Sequence, residues 1–304
     1  MSHRVTVVVR TKDRPDFLVR ALSDIAAQSF TDAAVVVVND GGLRADVERV
    51  VLASALTERV SVLDSAAPGG RCAAANTGIA ASESEYVVLH DDDDLWHPDF
   101  LSRTVAYLDS HPHDAGVVVP TEIVYERRVV GEWVEYDRVP FWNGMTAVSF
   151  TALLEVNRMV PISVLYRRDV HDTVGPYDEA LETVEDWDFY LRITARFALG
   201  FLPGDVLAYW TQRPAVTGSS ANSMFELAGA HVRDDAAVRD RELRKWVATQ
   251  GLGLPLYLAQ MERQIRERLV HEMTIQLDRQ RREIVDEIYA RHPVWRRLRR
   301  LFGR

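Results

Sequence analysis

Apolar residues in the first hundred positions form short runs that alternate with segments of helical spacing. Runs rich in valine or other apolar residues occupy Val5–Val9, Ala34–Val38, Val60–Leu63 and Glu85–Leu89. Between the first two, Pro15–Gln28 repeats apolar residues as an amphipathic helix does. Uninterrupted valine runs are typical of parallel strands that helices cover on both faces. The pattern therefore predicts an α/β fold with a mostly parallel sheet.

The pattern changes twice further along the chain. Between about residues 115 and 140 the apolar positions become strand-like, which indicates a hairpin or an extension of a mixed sheet. From Asn222 onward the chain is helical, and Leu256–Tyr289 carries an apolar stripe among many charges. We therefore expect an α/β domain over residues 1–220 and a helical extension over residues 221–304.

The end of the chain is a tail that is both basic and apolar. Over residues 294–304, arginines alternate with Trp295, Leu298, Leu301 and Phe302 at helical spacing. Such a segment could lie in the interface of an anionic membrane, or it could dock on an acidic protein surface. Both interpretations stay open. The apolar stripe of the preceding helix could also pair with a second copy of the chain to give a homo-oligomer.

Composition and charge narrow the class of protein. The chain has 304 residues, of which 47% are hydrophobic and 27% charged, as in ordinary globular proteins. Its net charge of −9 argues against a nucleic-acid partner. Cys72 is the only cysteine, which excludes an internal disulfide and a cysteine-based zinc cluster. No apolar run is long enough to span a bilayer, so we expect a cytoplasmic protein, with peripheral membrane contact as an option.

Four consecutive aspartates, Asp91–Asp94, follow directly on the fourth apolar run. Crowded like charges are tolerable when a hard cation neutralises them, since Mg²⁺ and Mn²⁺ favour carboxylate and phosphate oxygens. The alternative is a solvated acidic turn that caps the next helix. Open α/β sheets bind ligands at the carboxyl ends of their strands, which favours the cation. In an extended segment, Asp91 and Asp93 would share one face and Asp92 would point the other way.

Five short segments occur in a fixed order along residues 4–215. They are RTKDRP at positions 10–15, NDGG at 39–42, GRCAAANTGI at 70–79, DDDDLW at 91–96 and EDWDFYLR at 185–192. Each segment alone is weak, but their order and spacing together resemble glycosyltransferase family 2. The resemblance implies the GT-A fold, a Rossmann-like mixed sheet with helices on both faces. It also implies inverting transfer of a sugar from a nucleotide-diphosphate donor, with Mn²⁺ or Mg²⁺ as cofactor.

The resemblance also implies donor and cation residues. The matching positions for contacts with the donor nucleotide are Thr11, Asp13, Arg14, Asp40, Arg71, Asp91 and Asp92. Asp93 would be a direct ligand of the cation, and Asp91 would bind the ribose, or the cation through water. Asp40 could accept a hydrogen bond from N3–H of uracil or thymine, which favours a UDP- or dTDP-sugar. By composition alone, positions 39–42 form a simple turn and Arg71 is equally well a surface arginine.

An acceptor hydroxyl needs a general base, and the acidic residues of Glu182–Asp188 are candidates. They fall where a helix begins, so their alternative role is interaction with the helix dipole. Asp188 and Arg192 have the i,i+4 spacing of an ordinary helix ion pair, whereas Asp186 has no evident basic partner. The family resemblance also puts the base at Asp186, with Glu185 as the next candidate.

The predicted function is glycosyl transfer in polysaccharide or glycoconjugate synthesis, with a glycan or lipid-linked acceptor. The alternatives are a noncatalytic GT-A-like scaffold that binds a glycan or a partner, and a sugar nucleotidyltransferase. The aspartate cluster together with Glu185–Asp186 favours the glycosyltransferase. The first strand lacks a following glycine-rich phosphate loop with a lysine, which counts against the nucleotidyltransferase. We expect the acceptor at the loops Tyr136–Met145 and Arg158–Pro161. The histidine that family members often place after a late aromatic strand is missing from positions 208–214.

Overall fold

The computed structural model describes residues 3–66, 69–291 and 294. Its strands are β1 Val5–Thr11, β2 Ala33–Asn39, β3 Val60–Asp64, β4 Tyr86–Asp91, β5 Leu95–Trp96, β6 Asp114–Val118, β7 Thr121–Val129, β8 Glu132–Phe141, β9 Val164–Arg167, β10 Ala198–Phe201 and β11 Ala208–Gln212. Its α-helices are α1 Pro15–Ala26, α2 Arg44–Ala53, α3 Arg71–Ala80, α4 Phe100–Ser110, α5 Phe150–Glu155, α6 Val170–Val174, α7 Glu185–Thr194, α8 Ser223–Glu226, α9 Ala228–Gln250 and α10 Gly253–Arg291.

A seven-stranded sheet with the strand order β10-β6-β9-β4-β1-β2-β3 forms the centre of the fold. Its neighbouring strands run parallel except for β9, which is antiparallel to both β4 and β6. The predicted α/β fold with a mixed sheet and a C-terminal helical region is confirmed. The first four strands correspond to the four apolar runs of the sequence.

Helices cover both faces of this sheet. Val7 of β1 packs in an apolar cluster with residues of α1, α2 and α4, whereas Val8 packs with residues of α3 and α7. Successive strand residues thus point to opposite, equally buried faces, which explains why the valine runs are uninterrupted. A β-carbon at Gly78 in α3 would lie 2.3 Å from Cγ1 of Val8. Glycine therefore allows α3 to approach β1 closely.

A second, four-stranded sheet has the order β5-β11-β7-β8. Strands β7 and β8 form the hairpin that the sequence predicts between residues 115 and 140. Strand β11 pairs with β7 in parallel and with β5 antiparallel. Because β5 directly follows the aspartate cluster, this pairing brings β11 to the cluster.

The aspartate cluster is not extended as predicted. Strand β4 runs on to Asp91, and Asp92 and Asp93 form a turn that leads the chain into β5. We call residues 91–94 the aspartate turn. The prediction that Asp91 and Asp93 share a strand face was therefore wrong. The positions of these side chains are set by the turn and by their hydrogen-bond partners.

The chain divides into two compact units, residues 1–238 and 239–304. The predicted boundary between residues 220 and 221 stays a prediction, and residues 221–238 lie in the first unit. None of the helices in the described part of the chain combines the length and apolar character needed to span a bilayer. The predicted basic tail lies outside the described residues, apart from Val294.

Candidate active site

Asp91 is held by an arginine on the neighbouring strand. Arg10 of β1 stands beside Asp91 of β4 in the sheet register, and its Nε and Nη2 donate to Oδ1 and Oδ2 of Asp91 at 2.8 and 2.9 Å. Arg10 Nη1 also donates to Oε1 of Glu185 at 3.3 Å. Although burial opposes it, these two carboxylates raise the pKa of Arg10. One buried guanidinium therefore joins the aspartate turn to the first residue of α7.

Asp92 lies in the aspartate turn, and its side chain is fully buried. Its Oδ2 accepts a hydrogen bond from Oγ1 of Thr11 at 2.7 Å, and Arg14 pairs with both of its oxygens. Burial raises the pKa of Asp92 to about 7, against the opposing effect of Arg14. Asp92 and Thr11 thus brace the loop after β1, and their predicted contacts with a donor stay a prediction.

The carboxylate of Asp93 accepts hydrogen bonds from three different residues. Its Oδ2 accepts from Arg213, from Arg14 at 3.3 Å and from Asn222 at 3.2 Å. Burial opposes ionisation, but Arg14 and Arg213 lower the pKa of Asp93. Arg213 is itself fully buried, with its guanidinium 4.5 Å from the ring centre of Phe17. Asp93 is therefore a fixed anion at neutral pH.

Asp94 ties the turn to β11 instead of capping a helix. Its Oδ1 accepts from the backbone N–H of Thr211 at 2.9 Å, and Oγ1 of Thr211 donates to the carbonyl of Asp93 at 2.6 Å. The next helix, α4, begins at Phe100 with Asp99 at its N-cap position. The alternative of a helix-capping acidic turn was therefore wrong for Asp94.

A cavity of about 370 Å³ opens above the aspartate turn. It is lined by the predicted residues Asp13, Arg14, Arg71, Asp91 and Asp93, together with Lys12, Asp94 and Gln212. Acidic groups of the aspartate turn and the basic side chains of Lys12, Arg14 and Arg71 thus line the same cavity. This arrangement suits a diphosphate. Asp40 accepts hydrogen bonds through Oδ1 from the N–H of Gly70 at 2.7 Å and from Ser65 at 2.8 Å. It thus joins Ser65 to Gly70, the residue that directly precedes α3.

Asp186 lies in the first turn of α7 and is half-buried. Its Oδ2 accepts from Nδ2 of Asn157 at 2.9 Å, and its Oδ1 accepts from the N–H of Trp187 at 2.8 Å. Burial raises the pKa of Asp186 to about 7, and the charge of Glu185 adds to this effect. The carboxyl group is therefore poised to exchange a proton near neutral pH.

Glu185 differs from Asp186 in its partners. Its Oε1 lies 3.3 Å from Nη1 of Arg10 and 3.6 Å from Nη1 of Arg71, and the residue is 2% exposed. Two arginines thus pair with the Glu185 carboxylate, whereas the Asp186 carboxylate accepts hydrogen bonds from a side-chain amide and a backbone N–H. Of the two predicted candidates, Asp186 has the better environment for a base. The predicted Asp188–Arg192 ion pair is present at 2.9 Å.

A second cavity, of about 520 Å³, lies against Asp186. It shares Arg71, Asp91, Trp210 and Met224 with the first cavity, so the two adjoin. Trp142 and Pro161 of the predicted acceptor loops line it, and so does His231 of α9. No motif of the sequence singles out His231, because an isolated histidine in a helix carries no functional signal.

The first cavity, where the family resemblance predicts the sugar donor and which we call the donor cavity, offers oxygen ligands for a hard cation. Within the described residues, no three histidine, cysteine or acidic side chains cluster to hold a metal ion. Mg²⁺, however, is usually bound by one or two carboxylates with substrate phosphates and water, and Asp91 and Asp93 supply that number. Oε1 of Gln212 is buried without a hydrogen-bond partner in the described part of the chain. Gln212 lines the same cavity as Asp91 and Asp93, and an orphaned amide oxygen on this residue fits the predicted cation.

Comparison with known proteins relates this chain to glycosyltransferases. The family model described as "Glycosyl transferase family 2" matches residues 6–175. The chain is 25% identical over 206 residues to the uncharacterized glycosyltransferase YwdF of Bacillus subtilis, covering 66% of this chain and 71% of that protein.

Solved structures share the fold. S. aureus TarS 1-349 has a TM-score of 0.54 at 21% identity, over 69% of this chain and 60% of that chain. The same fragment in complex with UDP-GlcNAc gives 0.55 at 20% identity, over 84% and 76%. The mannosyltransferase PcManGT from Pyrobaculum calidifontis, in complex with GDP-Man and Mn²⁺, gives 0.51 at 16% identity, over 86% and 80%. The first match spans about three fifths of the TarS fragment.

Proposed function

Because the chain belongs to glycosyl transferase family 2, we propose that it transfers a sugar from a nucleotide-diphosphate donor to an acceptor hydroxyl with inversion. One observation carries the proposal. The half-buried carboxyl group of Asp186 lines a cavity that adjoins the donor cavity at Arg71 and Asp91. A base thus stands where an acceptor would meet the sugar of a bound donor.

The donor would lie over the aspartate turn, with its diphosphate between the basic side chains of Lys12, Arg14 and Arg71. A guanidinium binds phosphate oxygens through two parallel hydrogen bonds. The structural neighbours carry uridine and guanosine nucleotides, so they favour a nucleotide sugar without fixing the base. A UDP- or dTDP-sugar remains our proposal, with Asp40 accepting from N3–H of the pyrimidine.

The transfer would be a single displacement. The acceptor oxygen attacks the anomeric carbon, the bond from that carbon to the phosphate oxygen breaks, and the nucleoside diphosphate leaves. The acceptor proton passes to a carboxylate oxygen of Asp186. Arg71 faces both cavities and would stabilise the negative charge that develops on the departing phosphate.

Asp93, Asp91 and Oε1 of Gln212 would hold a divalent cation in the donor cavity. When bound, such a cation acts as a Lewis acid toward the diphosphate. Arg10 holds the side chain of Asp91 in place for this role, and Arg213 does the same for Asp93.

A nucleotide-sugar binding screen tests the proposal before any acceptor is known. We expect one UDP- or dTDP-sugar to raise the melting temperature in the presence of Mn²⁺, and chelator to reduce the shift. Binding at a hundred times Kd stabilises the folded state by about 2.7 kcal/mol. Arg71→Ala should lose most of the shift, because its guanidinium faces the diphosphate.

Arg49→Ala is the matched control, since Arg49 is an exposed arginine that pairs with Asp46 on α2. It should keep the full shift. A screen in which no nucleotide sugar stabilises the wild-type protein would overturn the proposal.

A further inference from the structure

The larger cavity is lined by a group of ion-paired side chains and by a group of apolar side chains, called here its charged end and its apolar end. Arg10, Asp91, Glu185 and Arg71 form one chain of ion pairs with contacts of 2.7 to 3.6 Å. These lining groups are therefore gathered at the junction with the donor cavity, close to Asp186. The rest of the lining is dominated by carbon, so a molecule that fills the cavity meets two different environments.

The apolar end is built mainly from aliphatic side chains. Val156, Val160, Pro161 and Val232 line the cavity together with the aromatic ring of Trp142, and the polar side chains of Asn157 and Asp235 line it as well. Val156 is 38% exposed and Val232 is 75% exposed, so a ligand can reach them. An aromatic ring can stack on a sugar as well as on an apolar group. Aliphatic side chains, in contrast, offer a hydroxyl no hydrogen bond, and polar groups pressed against them lose hydration without compensation.

His231 supplies an unused polar contact beside the charged end. Its Nε2 is buried and has no hydrogen-bond partner within the described residues. Burial lowers the pKa of His231, and the charge of Arg71 acts in the same direction, so the ring is neutral at neutral pH. A neutral ring can exchange a hydrogen bond with a hydroxyl group of a ligand.

We propose that the acceptor is amphipathic, with a hydroxyl-bearing ring at Asp186 and His231 and an alkyl or aryl group packed against Val156, Val160 and Val232. The inference rests on the proposed glycosyl transfer and names its acceptor class. A sugar whose anomeric position carries an apolar group matches both ends of the cavity. A glycan that is polar throughout matches only one.

Alkyl glycosides of one sugar and increasing chain length test the inference. The probes are methyl, n-butyl and n-octyl β-D-glucopyranoside, kept below the micelle-forming concentration, with UDP present. Trp142, Trp187 and Trp210 line the cavity, so tryptophan fluorescence reports occupancy. Each enclosed methylene should lower Kd about fourfold, and we expect octyl glucoside to bind at least tenfold more tightly than methyl glucoside.

Val232→Asp should abolish the gain with chain length, because it puts a charge into the apolar end. Val130→Asp is the matched control, since Val130 is a fully exposed valine at the tip of the β7–β8 hairpin. It should keep the gain. Val156→Asp provides a second test if the melting temperature shows that Val232→Asp is unfolded.

The outcomes separate the two proposals. A gain below threefold in the wild-type protein, no measurable binding of any glycoside, or the same gain in Val232→Asp as in the control would overturn the amphipathic acceptor. A full, Val232-dependent gain in a protein that binds no nucleotide sugar would keep the apolar site and overturn the proposed transfer.

Discussion

At the scale of single residues, the environment of Asp186 separates it from its acidic neighbours. The family resemblance puts the base at this position, but the sequence does not show that Glu185 is held by two arginines and Asp186 by an amide. Those contacts join residues 29 to 175 positions apart, and no local pattern encodes them. The motif thus predicts which residues are candidates for the base, and the contacts that distinguish these candidates could not be predicted from the sequence.

Asp186→Asn keeps the shape of the side chain but cannot accept a proton at neutral pH. We expect turnover to fall by about a hundredfold or more, with donor affinity within a few-fold of the wild-type value. Steady-state kinetics and nucleotide-sugar titrations measure the two effects. Glu182→Gln is the control, because its side chain pairs with Arg233 at the surface. Turnover within a few-fold of wild type in Asp186→Asn would place the base elsewhere.

The raised pKa of Asp186, about 7, predicts a pH profile. The base works only when deprotonated, so kcat/KM should fall tenfold per pH unit below about 7 and level off above it. Burial is the main cause of the raised pKa, so the fall of kcat/KM at low pH is a property of the folded enzyme. A rate that stays constant from pH 8 to pH 5.5 would contradict this assignment.

At the scale of elements, backbone strain is concentrated at the two cavities. Four residues other than glycine have positive φ in the described part of the chain, namely Asp13, Val130, Trp142 and Val184. Asp13 lines the donor cavity, and Trp142 and Val184 line the larger one. Such conformations cost about 1 to 3 kcal/mol each and persist only where the surroundings impose them. A valine or tryptophan gives no sequence signal for a left-handed conformation, so these turns could not be predicted.

The regular elements were more predictable than their pairing. Periodicity located β1 to β4, the first helices and the β7–β8 hairpin, and the signal is clearest for β1, β2 and β4, which are almost wholly buried. The sequence did not resolve β9 and β10, which have four residues each, too few for a periodic signal. Pairing of β11 with β5 and β7 joins distant segments and depends on the whole fold.

The link between the aspartate turn and β11 predicts a stability effect. Asp93→Ala should lower the free energy of unfolding by about 3 kcal/mol, because it leaves the fully buried Arg213 without this partner. Arg213→Met removes the uncompensated charge, so the double variant should be more stable than the sum of the single changes predicts. Urea denaturation of the wild type, the two single variants and the double variant measures this double-mutant cycle. Asp46→Ala, in an exposed pair, should have little effect, and strict additivity in the cycle would refute the coupling.

At the scale of the whole molecule, α10 presents many exposed apolar side chains. Leu258, Ile265 and Met273 are 50%, 53% and 60% exposed. Pairing of two copies through this stripe stays a prediction, as does docking of the tail on a protein surface. The alternative, that the basic tail over residues 294–304 contacts an anionic membrane, can be tested separately.

We expect full-length protein to co-sediment with anionic vesicles at low salt, because each basic residue near such a surface contributes about 1 kcal/mol. Protein that ends at residue 293 should stay in the supernatant, and neutral vesicles serve as the control. Equal and negligible sedimentation of both forms with anionic vesicles would rule out the membrane role and leave protein docking.

Asp234 of α9 closes a long loop of the chain just before Asp186. Its Oδ2 accepts hydrogen bonds from the N–H groups of Glu182 and Thr183, which lie 52 and 51 positions earlier in the chain. These residues lead into the left-handed Val184 and then into Asp186. Closing so long a loop is slow compared with forming local helices. During synthesis, these hydrogen bonds can form only after Asp234 has been added to the chain. The segment that leads into Asp186 therefore reaches its final position later than the local helices around it.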